Sequence, residues 1–223
     1  MASHELKNPL TSLKLQSQLR KRILKGGDPS FFSFERLTKI FESDEQQLDR
    51  INYLIDDMLD VSRVRAGKLS MNCEQLDLCA LVRETVERNS EQLTVAGCSV
   101  ETDIDGRGPV IGNWDRNRIE QVMINLLTNA MRYGAGGPVF VQVRADRGRA
   151  SIVVRNQGQG ISKEDQVRIF QKFERAASEK ESRGLGLGLY IVSHILEAHR
   201  GSIRVESELG HGATFIVELP ISG

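Results

Sequence analysis

The sequence predicts an α+β chain of two units: a helical hairpin that closes into a four-helix bundle only with a second copy, then an α/β sandwich with a mixed sheet. Three observations carry this. Over residues 4 to 62, seam positions recur at alternating steps of four and three. After Cys73 that pattern gives way to short β-branched or alternating runs. Helical stretches fall between those runs, as in a sheet covered on one face by helices.

The first helix carries Leu6, Leu10, Leu13, Ser17, Arg20 and Leu24 along its seam, a stripe imperfect in the middle. The second, over residues 37 to 62, carries Leu37, Phe41, Asp44, Leu48, Ile51, Ile55, Met58 and Ser62. GGDPSFF lies between them, where glycines and Asp-Pro end one helix and start another. Gly67 marks the end of the second. Two helices cannot enclose such a seam, so a homodimer is expected. Leu78 to Val95 reads as a helix, followed by helical stretches at 115 to 133, 163 to 171 and 186 to 199. VFVQVRA at 139 and ASIVVRN at 150 form a hairpin about Arg147-Gly148, and SIRVESE at 202 and ATFIVELP at 213 add two strands.

A length of 223 residues suits two compact units. The 30 basic and 30 acidic residues balance without a long run of one sign, so nucleic acid and anionic membrane are not expected partners. Cys73, Cys79 and Cys98 match neither a metal spacing nor a disulfide framework, which points to a reducing, cytoplasmic setting. No stretch approaches the roughly 18 apolar residues of a membrane helix, so this segment is expected to make no membrane contact. The helical pattern is already in register beside Met1 and Ala2, from which an upstream sensor region is expected in the parent protein.

Several segments carry candidate chemistry. In SHELKNPL, the seam at 6 and 10 turns His4, Glu5 and Asn8 outward, and an imidazole beside a carboxylate is a candidate nucleophile and base. Asn125 and Asn129 share a helix face, with Ile124, Leu126 and Leu127 toward the core. Such carboxamides suit a hydrated magnesium ion and phosphate oxygens, with Arg132 for phosphate and Tyr133 as a flat surface for a base. NQGQGI places Asn156 beside Gly158 and Gly160, and GLGLGL places Gly184, Gly186 and Gly188 before a helix, where backbone N–H groups can meet phosphates. GLGLGL lacks the GK[ST] of a P-loop.

In this order the segments resemble the sensor histidine kinases of two-component signalling. SHELKNPL is similar to their H box, NLLTNAMRY to the N box, NQGQGI to the first glycine box, FQKFERA with Phe170 and Phe173 to the F box, and GLGLGL to the second glycine box. The closing GSIRVESELGHGATFIVELP is also similar to the family's last strands. The resemblance implies a dimerisation and phosphotransfer domain over 1–66, a linker over 67–72, and an ATP-binding domain of the Bergerat (GHKL) type over 73–223.

It further implies transfer of the ATP γ-phosphate to His4 with Glu5 as base, then to an aspartate of a response regulator, and through Asn8 a candidate phosphatase activity toward that regulator. Asn129 would be the magnesium ligand, assisted by Asn125, with Arg132 on phosphate, Tyr133 against adenine, and Phe173 and the glycines around the nucleotide. Residues 174 to 183 would be the lid. Asn156 departs from the family, whose usual aspartate takes the adenine amino group; an asparagine keeps a carbonyl acceptor there. Two alternatives stand beside this reading: a pseudokinase that keeps the dimer as a signalling scaffold, and a clamp-type ATPase, which SHELKNPL disfavours.

Overall fold

The computed structural model describes residues 2–26, 33–67, 69–104, 108–174 and 185–221, with the side chains of 2–5, 50 and 53 outside the description. The chain divides into two compact units, Met1–Ser62 and, in the main, Arg63–Gly223.

The first unit is a pair of helices, α1 (Ala2–Gly26) and α2 (Phe34–Arg65). Pro9 lies inside α1, where it removes the N–H that would bond the carbonyl four residues back. The predicted seam splits into two sets. Leu6, Leu13 and Arg20 on α1, and Leu37, Asp44 and Ile51 on α2, are half-buried. Leu10, Ser17, Leu24, Phe41, Leu48 and Ile55 are exposed. The better-covered line on α2 continues through Ile40, Gln47, Leu54 and Val61, each seven residues apart, rather than through the predicted 41, 48 and 55.

Arg20 and Asp44, the polar interruptions of the two seams, meet each other. Nη1 lies 2.5 Å from Oδ2 and Nη2 2.8 Å from Oδ1, a two-pronged pair with side chains only about a quarter exposed. The bonds to Arg20 hold the Asp44 carboxyl below its ordinary range, and Asp44 raises the Arg20 guanidinium. At its far end α2 stops because Gly67 takes a φ of +60° and donates to the Val64 carbonyl at 3.0 Å.

The second unit opens with β1 (Glu74–Asp77), which pairs antiparallel with β3 (Ile111–Trp114) in a small sheet of its own. Asp77 caps α3 (Leu78–Arg88) by accepting from Cys79 N at 3.0 Å and also ties down Val110 N. The expected helix over 78 to 95 breaks at Asn89, whose amide returns to the Thr85 carbonyl, and α4 (Ser90–Val95) follows. The large sheet runs β2 (Val100–Asp103), β4 (Val139–Asp146), β5 (Arg149–Asn156), β7 (Ala213–Pro220), β6 (Ser202–Ser207). Its β2–β4 pair is parallel and the other pairs antiparallel, the mixed sheet that was expected.

The β4–β5 hairpin turns through Arg147 and Gly148, both at positive φ, the geometry whose twist matches paired strands. Register places Val139, Val141 and Val143 beside Asn156, Val154 and Ile152, and Ala213, Phe215 and Val217 beyond them, all on one buried face. Onto this face pack α3, α5 (Arg116–Tyr133) and α7 (Gly188–Ala198). Each fully covered Leu, Ile or Val contributes roughly 1.5–3 kcal/mol relative to exposure. The short α6 (Lys163–Arg168) is capped by Ser162 and ends three residues before the predicted 171. Trp114 is buried, and its indole N–H donates to the Pro220 carbonyl at 2.9 Å, closing the small sheet onto the end of β7.

Candidate nucleotide site

The site elements are set by caps and glycines before any ligand is considered. Asp115 begins α5: its Oδ1 accepts from Arg118 N at 3.1 Å, its Oδ2 from Asn72 N at 2.7 Å, and its own N–H donates to His199 Nε2 at 3.0 Å. The other ring nitrogen, Nδ1, donates to the Ile195 carbonyl at 2.8 Å, so the ring is the neutral Nδ1–H tautomer. Burial pushes the His199 pKa below the ordinary histidine value, against the smaller opposing effects of the Ile195 carbonyl and the Asp115 carboxylate. One buried imidazole thus joins the end of α7 to the start of α5 and, through Asp115, to the segment before β1.

Along α5, Asn125 is buried and its Nδ2 donates to the Gln121 carbonyl at 3.0 Å. Asn129 follows one turn later and is half-buried, so the two share the face that their spacing predicted. Leu126 and Leu127 fill the core, whereas Ile124, expected there, is half-buried and Val122 and Met123 are fully covered instead. Arg132 is exposed and its guanidinium carbon lies 6.0 Å from the centroid of the half-buried Tyr133.

Asn156 ends β5 on the buried face, between Val139 and Ala213 in register. Its Nδ2 donates to the Gln157 carbonyl at 3.3 Å. The glycines after it serve the chain's own packing: a Cβ at Gly158 would lie 1.9 Å from the Tyr133 carbonyl oxygen, and one at Gly160 would lie 2.0 Å from that of Glu208. The loop is bolted to the β6–β7 turn. Gly212 N donates to Gly158 O at 3.0 Å, Ile161 N to Ser207 Oγ at 2.8 Å, and Gln166 Nε2 to the carbonyls of Ile161 and Ser207 at 2.8 Å each. Gly212, at φ +80° with a hypothetical Cβ 2.0 Å from the Asn156 carbonyl, belongs to this site although the motifs did not single it out. Its signal was the second glycine of GHG between two strands.

Phe173 stands at φ +65°, a conformation costly for an aromatic residue, and its N–H donates to the Gly186 carbonyl at 3.0 Å. The segment ending FQKF is thereby joined to the second glycine motif. Gly186 is at φ +65° and Gly188 is the first residue of α7. Gly184 and residues 175 to 183 lie outside the described residues. So do the side chains of His4 and Glu5, whose backbone belongs to α1; Asn8, one turn after His4, is exposed.

Among the described residues no group of three or more His, Cys, Asp or Glu could hold a metal ion. The donors on α5 are neutral carboxamide oxygens, which suit a magnesium ion that keeps waters and takes phosphate oxygens for its remaining positions. No helix among the described residues is long and apolar enough to cross a membrane.

Known proteins share this fold. Residues 114–223 match the "Histidine kinase-, DNA gyrase B-, and HSP90-like ATPase" family, and residues 1–67 the "His Kinase A (phospho-acceptor) domain". The alginate biosynthesis sensor protein KinB of Pseudomonas aeruginosa is 32% identical over 222 residues, 99% of this chain and 36% of its own length. The chain therefore spans about a third of that relative. The Acinetobacter baumannii histidine kinase AdeS superposes with a TM-score of 0.71 at 27% identity, covering 98% of each chain. A histidine kinase ThkA, solved in complex with the response regulator protein TrrA, superposes with a TM-score of 0.65 at 25% identity over 98% of this chain and 59% of that one.

Proposed function

The chain belongs to the sensor histidine kinases, and from that premise we propose that it is the catalytic core of one: it transfers the γ-phosphoryl group of ATP to His4 and then to an aspartate of a response regulator. Residues 1–66 would be the dimerising phosphotransfer domain, 67–72 the linker and 73–223 the ATP-binding domain. The observation that carries this is the order of site segments on one fold, with Asn125 and Asn129 on one face of α5 and the glycine loop pinned beside the end of that helix.

In the proposed step a ring nitrogen of His4 attacks the γ-phosphorus. The bond from phosphorus to the bridging oxygen breaks, ADP leaves with that electron pair, and Glu5 takes the ring proton. Such transfer passes through a loose transition state, so positioning and charge do most of the catalysis. Asn129, assisted by Asn125, would hold a magnesium ion, which when bound neutralises phosphate charge. Arg132 would add a phosphate contact, Tyr133 and Phe173 flat surfaces, and Gly158, Gly160, Gly184, Gly186 and Gly188 the close backbone. Asn8, exposed one turn after His4, would orient water against the regulator's phosphoaspartate. The exposed half of the seam supports a homodimer, and the ThkA complex with TrrA supports a receiver-type partner. The setting that fits these partners is the cytoplasm.

The deciding experiment is incubation with γ-labelled ATP and magnesium. Label that survives alkali but not acid and disappears in His4→Ala is the expected result. ATP binding without labelling would instead favour the scaffold role, for which the replacement of the usual aspartate by Asn156 is the specific observation.

A further inference from the structure

Phe173 keeps its left-handed backbone, at φ +65°, because contacts on both sides outweigh the cost. Behind it the chain leaves α6 through a closed turn, in which Gln171 N donates to the Arg168 carbonyl at 2.8 Å and Glu174 N to the Gln171 carbonyl at 3.2 Å. Across that turn Arg168 Nη2 donates to Glu174 Oε2 at 2.6 Å, and Nη1 lies 3.9 Å from Oδ1 of the buried Asp165. The guanidinium thus ties the residue after Phe173 back to α6. Ahead of it, the Phe173 N–H donates to the Gly186 carbonyl at 3.0 Å.

The Arg168–Glu174 pair contributes little to global stability. Its side chains are 53% and 32% exposed, and pairs so open to water add little to the unfolding free energy. Its effect is on local direction. A trans peptide is planar, so its N–H points opposite to its C=O. With the Gly186 carbonyl taken by Phe173, the Leu187 N–H is aimed the other way, and Leu187 is the N-cap of α7. N–H groups at a helix start are the donors that a phosphate meets.

We propose that Arg168 and Glu174 are positioning residues for the nucleotide: their ion pair holds the Phe173 turn, and that turn aims the Leu187 N–H toward the phosphates. The proposal rests on the reading of the second glycine motif as the phosphate side of an ATP site. Without the pair, Phe173 relaxes toward the negative φ that side chains favour, its bond to Gly186 is lost, and ATP must order that peptide itself.

Calorimetric titration of the 223-residue chain with ATP and magnesium, together with the initial rate of autophosphorylation at saturating ATP, tests this. Arg168→Ala is expected to weaken ATP binding about fivefold and to leave the saturated rate within about twofold, because ordering lost equally to ground state and transition state moves binding alone. Glu174→Ala is expected to do the same, and the double variant no more than either single one, since each removes the same contact. Arg168→Lys, which keeps the charge, is expected to recover most of the affinity, and the melting temperature of each variant is expected to stay within about two degrees of the unaltered chain. Unchanged affinity in Arg168→Ala, or single losses that add in the double variant, would overturn the proposal. An unaltered folded chain that binds no ATP would be a different failure: it would remove the ATP site itself, and this positioning role with it.

Discussion

His199 shows how one buried side chain can tie distant parts of a unit together, and it makes a prediction in pH. Its ring is neutral in the folded state, with Nε2 accepting from Asp115 N, and its pKa is lowered by burial. An unfolded chain takes up a proton near pH 6.5 while the folded one does not, so the stability due to neutral His199 is complete above that value and declines as pH falls toward the lowered folded pKa. The melting temperature should therefore drop on acidification from pH 7 to about 5. His199→Gln, which cannot titrate, should flatten that part of the profile; an unchanged slope would refute the assignment. Asn129 is the complementary case, a half-buried residue on the same face of α5 as Asn125. Asn129→Ala should leave the melting temperature within a degree or two and reduce autophosphorylation by roughly 100-fold, the scale of losing one electrostatic contact to a transferring group.

At the scale of elements, the glycine loop behaves as part of the scaffold. Gly158→Ala would force a Cβ into the Tyr133 carbonyl, so the loop or the end of α5 must move. A cost of about 1–3 kcal/mol in unfolding free energy is expected, with weaker ATP binding. The Arg20–Asp44 pair is likewise a contact between elements, α1 with α2. Asp44→Ala should destabilise the hairpin by leaving a half-buried guanidinium without its anion, while replacing both residues by leucine should recover most of the loss in helical melting, since apolar contact substitutes well for such pairs.

Elements such as β4 to β7 were legible because their residues alternate between a buried and an open face, and α5 because Asp115 caps an amphipathic run. Four-residue strands such as β2 and β3 were not, since so short a run shows no period, and the break at Asn89 depends on one side chain returning to the backbone. In the candidate site, the helix face shared by Asn125 and Asn129 was legible from their spacing of four. The packing role of Gly158, the membership of Gly212 and the direction of the Asn156 amide depend on which carbonyls lie nearby, and only the folded chain brings those together.

For the whole molecule, the split seam carries the quaternary prediction. The set at 10, 24, 41, 48 and 55 is apolar and exposed in one chain, so a second copy is what would cover it. Leu48→Asp should shift sedimentation from dimer to monomer, leaving ATP affinity unchanged; a dimer that persists at low concentration would show that this set is not the interface. The two units can also be followed separately. Trp114 is the chain's single tryptophan, buried in the second unit, and the helical hairpin has none. Its indole emission will redshift only when the nucleotide-binding unit opens, while ellipticity at 222 nm sums over both units. A gap between the two melting curves is thus a direct optical reading of whether the hairpin and the catalytic unit unfold together or one at a time.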